Sequence, residues 1–158
     1  MITSPVSSRV QFEPAVASDA EELASLRVEA MRESLERVGR FDPQRGRERF
    51  LSSFSPAHTR HILIAGKKIG FYVVKPAEDG LLLDHLYIGL GYQRQGLGTD
   101  VLAEIFALAD REGSALRVGA LKGSDSNRFY ARHGFVLVEQ AEFDNYYVRH
   151  ACPTISSV

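Results

Sequence analysis

Hydrophobic and polar positions along the chain switch between a two-residue and a 3.6-residue period, and the switches mark its elements. Arg9 to Val16 alternates and reads as a first strand, with Pro14 at an edge position or at its end. Leu23, Leu26, Ala30, Met31, Leu35 and Val38 then recur at helical spacing behind Ser18 and Glu21, a capping-box pair, and Gly39 closes that helix. Phe41-Asp42-Pro43 starts a second, short helix running through Phe50 and Leu51 to Phe54. His61 to Ala65 and Lys68 to Val74, joined through Gly66-Lys67, form a hairpin, and Pro76 to Gly80 turns into the next strand. From Leu81 to Ile88 the run is almost continuously apolar, as in a buried strand. A glycine-punctuated turn follows, then a helix carrying Val101, Leu102, Ile105, Phe106, Leu108 and Ala109. Ala115 to Leu121 is a further strand, parallel to its predecessor because a helix connects them. Lys122 to Asp125 turns into a helix from Ser126 to His133, ended by Gly134, and Phe135 to Glu139 and Phe143 to Arg149 are the last strands. The order β-α-α-β-β-β-α-β-α-β-β describes an α/β (α+β) fold: a mixed sheet of about seven strands with helices on both faces.

With 158 residues, 44% of them hydrophobic, the chain suits a single domain over 1–158, with a core over about 9–149 and frayed polar ends. Nineteen basic residues against twenty acidic ones provide no global field for nucleic acid or an anionic membrane, so neither is an expected partner. The opening MITSPVSSRV has no signal-peptide pattern, and no run approaches the ~18 apolar residues of a membrane span. Cys152, the single cysteine, excludes an internal disulfide and a CxxC metal site. A reducing, cytoplasmic setting is the expectation. Arg27, Arg32, Arg37, Arg40, Arg45, Arg47 and Arg49 alternate with Glu29, Glu33, Glu36, Asp42 and Glu48. They read as a solvated face laced with i,i+4 pairs; a pocket lined by one or two of these charges with Phe41 or Phe54 is the alternative.

Candidate chemistry concentrates between Leu81 and Arg111, a strand, a glycine loop and a helix. Glycine lets backbone approach a ligand, and the first turn of a helix favours an anion, so this stretch suggests a phosphate cradle. Spacing separates the possible loops. Gly91 and Gly96 match the first half of a P-loop, but Leu97 and Gly98 stand where its lysine and hydroxyl belong. Gly89, Gly91, Gly96 and Gly98 fit the dinucleotide fingerprint G-x-G-x-x-G in no register. What remains, Gln93-Arg94-Gln95-Gly96-Leu97-Gly98, resembles the Q/R-x-x-G-x-G/A pyrophosphate loop of the GCN5-related N-acetyltransferases. A second motif, Phe129-Tyr130 through Gly134-Phe135, resembles that family's F/L-Y-x-x-x-G-F.

The resemblance, over roughly residues 9 to 149, implies a mostly antiparallel sheet with a splayed central parallel pair, acetyl-CoA as acyl donor, and no metal. It places the pyrophosphate on Gln93, Arg94, Gln95, Gly96, Leu97, Gly98 and Thr99, and the pantetheine arm between the splayed strands, against backbone of Leu86, Tyr87 and Ile88. Where the family often has proline this chain has Leu90, and where it has asparagine this chain has Gly123-Ser124. Ser124, or Asn127 from the following helix, then stands in for that contact; Ser124 or Asp125 as a plain helix cap is the alternative. The resemblance also implies an amine acceptor, small molecule or peptide, and a possible homodimer through the last strands.

Acyl transfer to an amine needs a neutral amine, a stabilised carbonyl oxygen and a proton for the leaving thiolate. Tyr130 matches the motif tyrosine and is the general acid, since a phenol of pKa ~10 stays protonated beside a thiol of ~8.5. A backbone N–H near Tyr87 or Ile88 meets the carbonyl oxygen. Asp84 and His85 are candidates for the base, and alternation points them to opposite faces. Asp144 and Tyr147, on the last strand, are weaker candidates. The five histidines show no metal-ligand spacing. A catalytically silent acyl-CoA sensor of the same fold is the rival reading.

Overall fold

The computed structural model describes residues 9–152. In chain order it contains β1 (Gln11–Pro14), α1 (Ala20–Arg37), α2 (Pro43–Ser53), β2 (Thr59–Ile64), β3 (Lys67–Ala77), β4 (Gly80–Ile88), α3 (Leu97–Arg111), β5 (Ala115–Leu121), α4 (Ser126–Arg132), β6 (Val136–Gln140) and β7 (Asp144–Arg149). The strands form one seven-stranded sheet in the order β1-β2-β3-β4-β5-β7-β6. β4 and β5 are parallel, whereas β1/β2, β2/β3, β5/β7 and β6/β7 are antiparallel. The predicted element order and mixed sheet are both present.

Several boundaries differ from the sequence reading. β1 is shorter than Arg9 to Val16. Ser18 does not cap α1, because Asp19 organises the approach: its carboxylate accepts the Val16 N–H at 2.8 Å and pairs with His61 Nε2 at 2.9 Å, so a 3-10 turn precedes a helix that begins at Ala20. β3 runs on through Pro76 to Ala77. Near a strand end proline costs the ladder only the one N–H it lacks.

Contacts divide the chain into two compact units, Met1–Val73 with His85–Val101, and Val74–Asp84 with Leu102–Val158. The first is built on an apolar cluster of Ala15, Leu23, Ala24, Phe50, Phe71 and Val73, against which Leu26, Leu51, Phe54 and Tyr87 pack. Phe50 and Phe71 meet edge to face, ring centres 5.6 Å apart. Asp42 caps α2 by accepting the Arg45 N–H at 3.1 Å, and the helix starts at Pro43, where the sequence reading put it. Ala65 and Gly66 both take positive φ, +49° and +80°, which gives the β2–β3 hairpin the twist its strands need. The arginines of α1 and α2 largely form the solvated, paired face expected of them. Arg32 bonds Glu29 and Glu36 and lies over Phe41, Arg37 reaches Glu33, and Arg47 pairs with Glu21 and Ser25.

In the second unit β5 alternates, burying Leu116, Val118 and Ala120, and Tyr130, Phe135, Tyr147 and Val148 are buried with them. Arg149 grips Asp110 of α3 bidentately, at 2.9 and 3.1 Å, with its guanidinium 4.0 Å over the Phe106 ring. The Cys152 N–H donates to the same carboxylate at 3.0 Å, so this residue, expected in a frayed tail, is tied down; residues 1–8 and 153–158 of the expected tails lie outside the described residues. The Arg149 hydrogen bonds, then that N–H, hold the Asp110 carboxyl below the usual carboxylate range. A depressed carboxyl stabilises the fold above its unfolded titration, and the contribution is lost as pH falls through the folded value. Asp110→Asn is expected to cost about 1–2 kcal/mol at pH 7, with the gap closing in acid as the folded-state carboxyl takes up its proton. Denaturant titrations at pH 7 and in acid check this, and equal stabilities at pH 7 would remove the pair from the stabilising contacts.

Candidate functional site

The glycine loop begins where β4 ends. The Gly89 N–H donates to Ile69 O at 2.7 Å, a 3-10 turn spans Leu90–Tyr92, and α3 starts at Leu97. Arg94 at φ +65° and Gly96 at φ +77° reverse the chain into the helix. In a helix's first turn the N–H groups lack intrahelical acceptors, and successive N–H groups in such a turn form a concave anion site. A Cβ built on Gly96 would meet only Arg9 Nη2, at 3.4 Å, so glycine is required here by backbone conformation more than by crowding. Gln93 and Gln95 fold back on the loop, donating to Ile88 O at 2.9 Å and Gly91 O at 3.4 Å. Arg94 and Thr99 are exposed, Gly98 is partly exposed and Leu97 is buried. Room over Gly96 bounded only by the Arg9 guanidinium, first-turn N–H groups and the exposed Arg94 together suit a pyrophosphate.

Arg9 escaped the sequence reading. Its Nε and Nη2 bond Asp100 Oδ2 at 3.0 and 2.6 Å, and its Nη1 donates to Gln95 O at 3.1 Å. Arg9 and Asp100 are 91 positions apart, so no local pattern carries the signal.

On β4, in the first unit, His85 Nδ1 lies 3.0 Å from the Tyr87 hydroxyl, and its ring sits among Phe50, Phe71 and Tyr87. Leu86, Tyr87 and Ile88 are half-buried, less than a buried strand leads one to expect. Gly70 of β3 lies so close to β4 that an added Cβ would fall 2.2 Å from Tyr87 O; this contact sets where that carbonyl stands. A cavity of about 360 Å³ in the same unit is lined by Ser25, Leu26, Glu29, Ala30, Gly89 and Leu90.

In the second unit Asp84 pairs with Lys75 Nζ at 3.3 Å. The parallel ladder joins Gly80–Leu83 to Ala115–Val118, although β5 continues to Leu121. Tyr130 is buried on α4, packed against Phe129, Phe135 and Tyr147. Asn127 holds the turn before it, donating from Nδ2 to Leu121 O at 2.9 Å and Ser124 O at 3.0 Å. Its Oδ1 accepts Asn145 Nδ2 at 2.9 Å and the Tyr147 hydroxyl at 2.8 Å, which fills the capacity of the amide. Neither Ser124 nor Asp125 caps α4 with its side chain; Asp125 turns to Arg128 instead. The two carbonyls fix which way Asn127 points, and Asn127 in turn fixes Asn145, whose Oδ1 is buried without a partner among the described residues. The structure thus gathers Ser124, Asn127, Asn145 and Tyr147 into one polar cluster, with the Asp144 backbone paired to Leu121 on β5.

Known proteins point the same way as this geometry. The family model described as an acetyltransferase (GNAT) domain matches residues 58–137. PaiA N-acetyltransferase from Thermoplasma acidophilum, solved in complex with coenzyme A, superposes with a TM-score of 0.73 at 15% identity, covering 89% of this chain and 98% of that one. An acetyltransferase from Thermus thermophilus gives 0.70 at 17% identity, covering 89% and 96%. A GCN5-related N-acetyltransferase structure from Rhodopseudomonas palustris gives 0.69 at 19%, covering 94% and 99%. At these identities the likeness is one of fold. No curated protein sequence matches the chain significantly.

Proposed function

Because the chain belongs to the acetyltransferase (GNAT) domain family, we propose that it transfers an acetyl group directly from acetyl-CoA to a primary amine of a small molecule or peptide. The observation that carries this reading is the turn at Arg94 and Gly96 that opens α3, with only the Arg9 guanidinium beside the Gly96 Cβ position and with first-turn N–H groups. Acetyl-CoA supplies an acyl carbon already activated as a thioester. Backbone N–H groups from Gln95 onward hold its phosphates, with Arg94 as an added cation, and backbone of Leu86, Tyr87 and Ile88 receives the pantetheine as an added strand. Tyr130 keeps a proton on its phenolic oxygen for the departing thiolate. Asp84 or His85 takes the amine proton: Asp84 faces the Lys75 ammonium group, and His85 Nδ1 is engaged with the Tyr87 hydroxyl. Asn127 serves the fold, and Ser124 is left as the side chain that can meet the donor's arm.

Titrating acetyl-CoA into the wild-type protein by calorimetry, followed by a thiol-release assay over an amine panel, tests the proposal. Micromolar binding with turnover supports it; absence of binding would end it. One observation favours a silent acyl-CoA sensor, namely that Asp84 and His85 are both engaged by protein groups. Binding without turnover on any amine is its signature.

The proposal extends to a homodimer through β6, the sheet-edge strand, which exposes Val136, Leu137 and Val138 at 58%, 45% and 53%. Such an edge invites pairing. Sedimentation velocity should return a dimer that Leu137→Lys converts to monomer; a wild-type monomer at tens of micromolar refutes it.

A further inference from the structure

Arg9 and Asp100 form an ion pair at the mouth of the glycine turn, and its position has a bearing on anion binding there. Asp100 lies in the first turn of α3, where its carboxylate gains from the helix dipole yet opposes any anion approaching the same N–H groups. Arg9 places two N–H groups on that carboxylate. A third N–H holds the Gln95 carbonyl. In a planar trans peptide C=O and N–H point in opposite directions, so pinning the Gln95 carbonyl toward Arg9 turns the Gly96 N–H to the other side of the turn. The guanidinium also stands 3.4 Å from where a Gly96 Cβ would be. One group therefore cancels the opposing charge and aims a donor.

We infer that Arg9 is a positioning residue for the phosphates of the acyl donor, acting through Asp100 and Gln95. This rests on the reading of the glycine turn as the pyrophosphate site. Without Arg9, a full negative charge is left in the turn and the Gln95–Gly96 peptide is released to rotate. The defect should fall on donor affinity and spare the chemical step.

The test is acetyl-CoA calorimetry and steady-state kinetics on wild type, Arg9→Gln, Asp100→Asn and the double variant, with melting curves for each. Arg9→Gln should raise Kd and KM for acetyl-CoA about tenfold, with kcat within about twofold. Adding Asp100→Asn should return Kd to within about threefold of wild type, because the charge that Arg9 cancels is then gone. Unchanged affinity in Arg9→Gln overturns the inference. So does an equal loss in the double variant, which would mean that Arg9 touches the phosphates directly through its remaining N–H groups. If Arg9→Gln does not fold, Arg9→Lys takes its place: it keeps the charge but not the fork, and a loss beyond about tenfold there would refute charge cancellation. Failure of the wild type to bind acetyl-CoA is a different result, visible before any variant is made, and it removes the parent reading together with this one.

Discussion

Replacing Tyr130 by phenylalanine is expected to lower kcat by about 10²–10³-fold while leaving KM for acetyl-CoA within about threefold. The substitution removes one oxygen from a side chain that packs by its ring against Phe129, Phe135 and Tyr147, so shape and burial are kept. What it removes is the proton held for the departing thiolate. Without that proton the thiolate must leave as an anion, and rate should recover partly when the thiol's own pKa is lowered. An acyl donor with a more acidic thiol should therefore narrow the gap between variant and wild type. A kcat unchanged at every pH would strip Tyr130 of its role and leave it as packing for α4.

Gly96→Glu should abolish measurable acetyl-CoA binding, a loss of at least about 100-fold. Three effects add. Any L side chain at φ +77° carries strain, on the order of 1–2 kcal/mol. A carboxylate adds negative charge where phosphates are to sit. It also competes with Asp100 for the Arg9 guanidinium, which lies next to the new side chain. Gly96→Ala separates these terms, since its Cβ has room and it brings only the strain; a loss of about tenfold or less is expected from it. Calorimetry on both variants decides the matter. If the glutamate variant bound within threefold of wild type, the phosphates would have to lie elsewhere.

Local chemistry made much of this legible. The start of α2 at Asp42-Pro43, the hairpin turn at Gly66, and the α4 terminus, where Phe135 N–H donates to Tyr130 O at 3.1 Å, are set by neighbours within a few residues, and the sequence patterns placed them, the hairpin turn to within one residue. The element order followed from the period switches, and the family from two short motifs. Long-range pairing was opaque. Asp19 reaches His61, and that bond moves the start of α1 past Ser18. Alternation could say that Asp84 and His85 face opposite ways, but not that Lys75 meets one and Tyr87 the other. Asn127 looked available to a ligand because its four hydrogen-bonding partners come from two strands and a turn. Arg9 belonged to an unremarkable stretch before β1.

The strand order β5-β7-β6 has a meaning for folding. β6 precedes β7 in the chain yet, among the described residues, pairs only with it, and β7 is the strand that sits between β5 and β6. Until Asp144–Arg149 has docked, β5 has one long side without its neighbour and the Val136-Leu137-Val138 segment lacks its partner strand. Closure of this half of the sheet waits on β7. An intermediate without it carries an apolar strand uncovered, the kind of surface on which a holding chaperone acts.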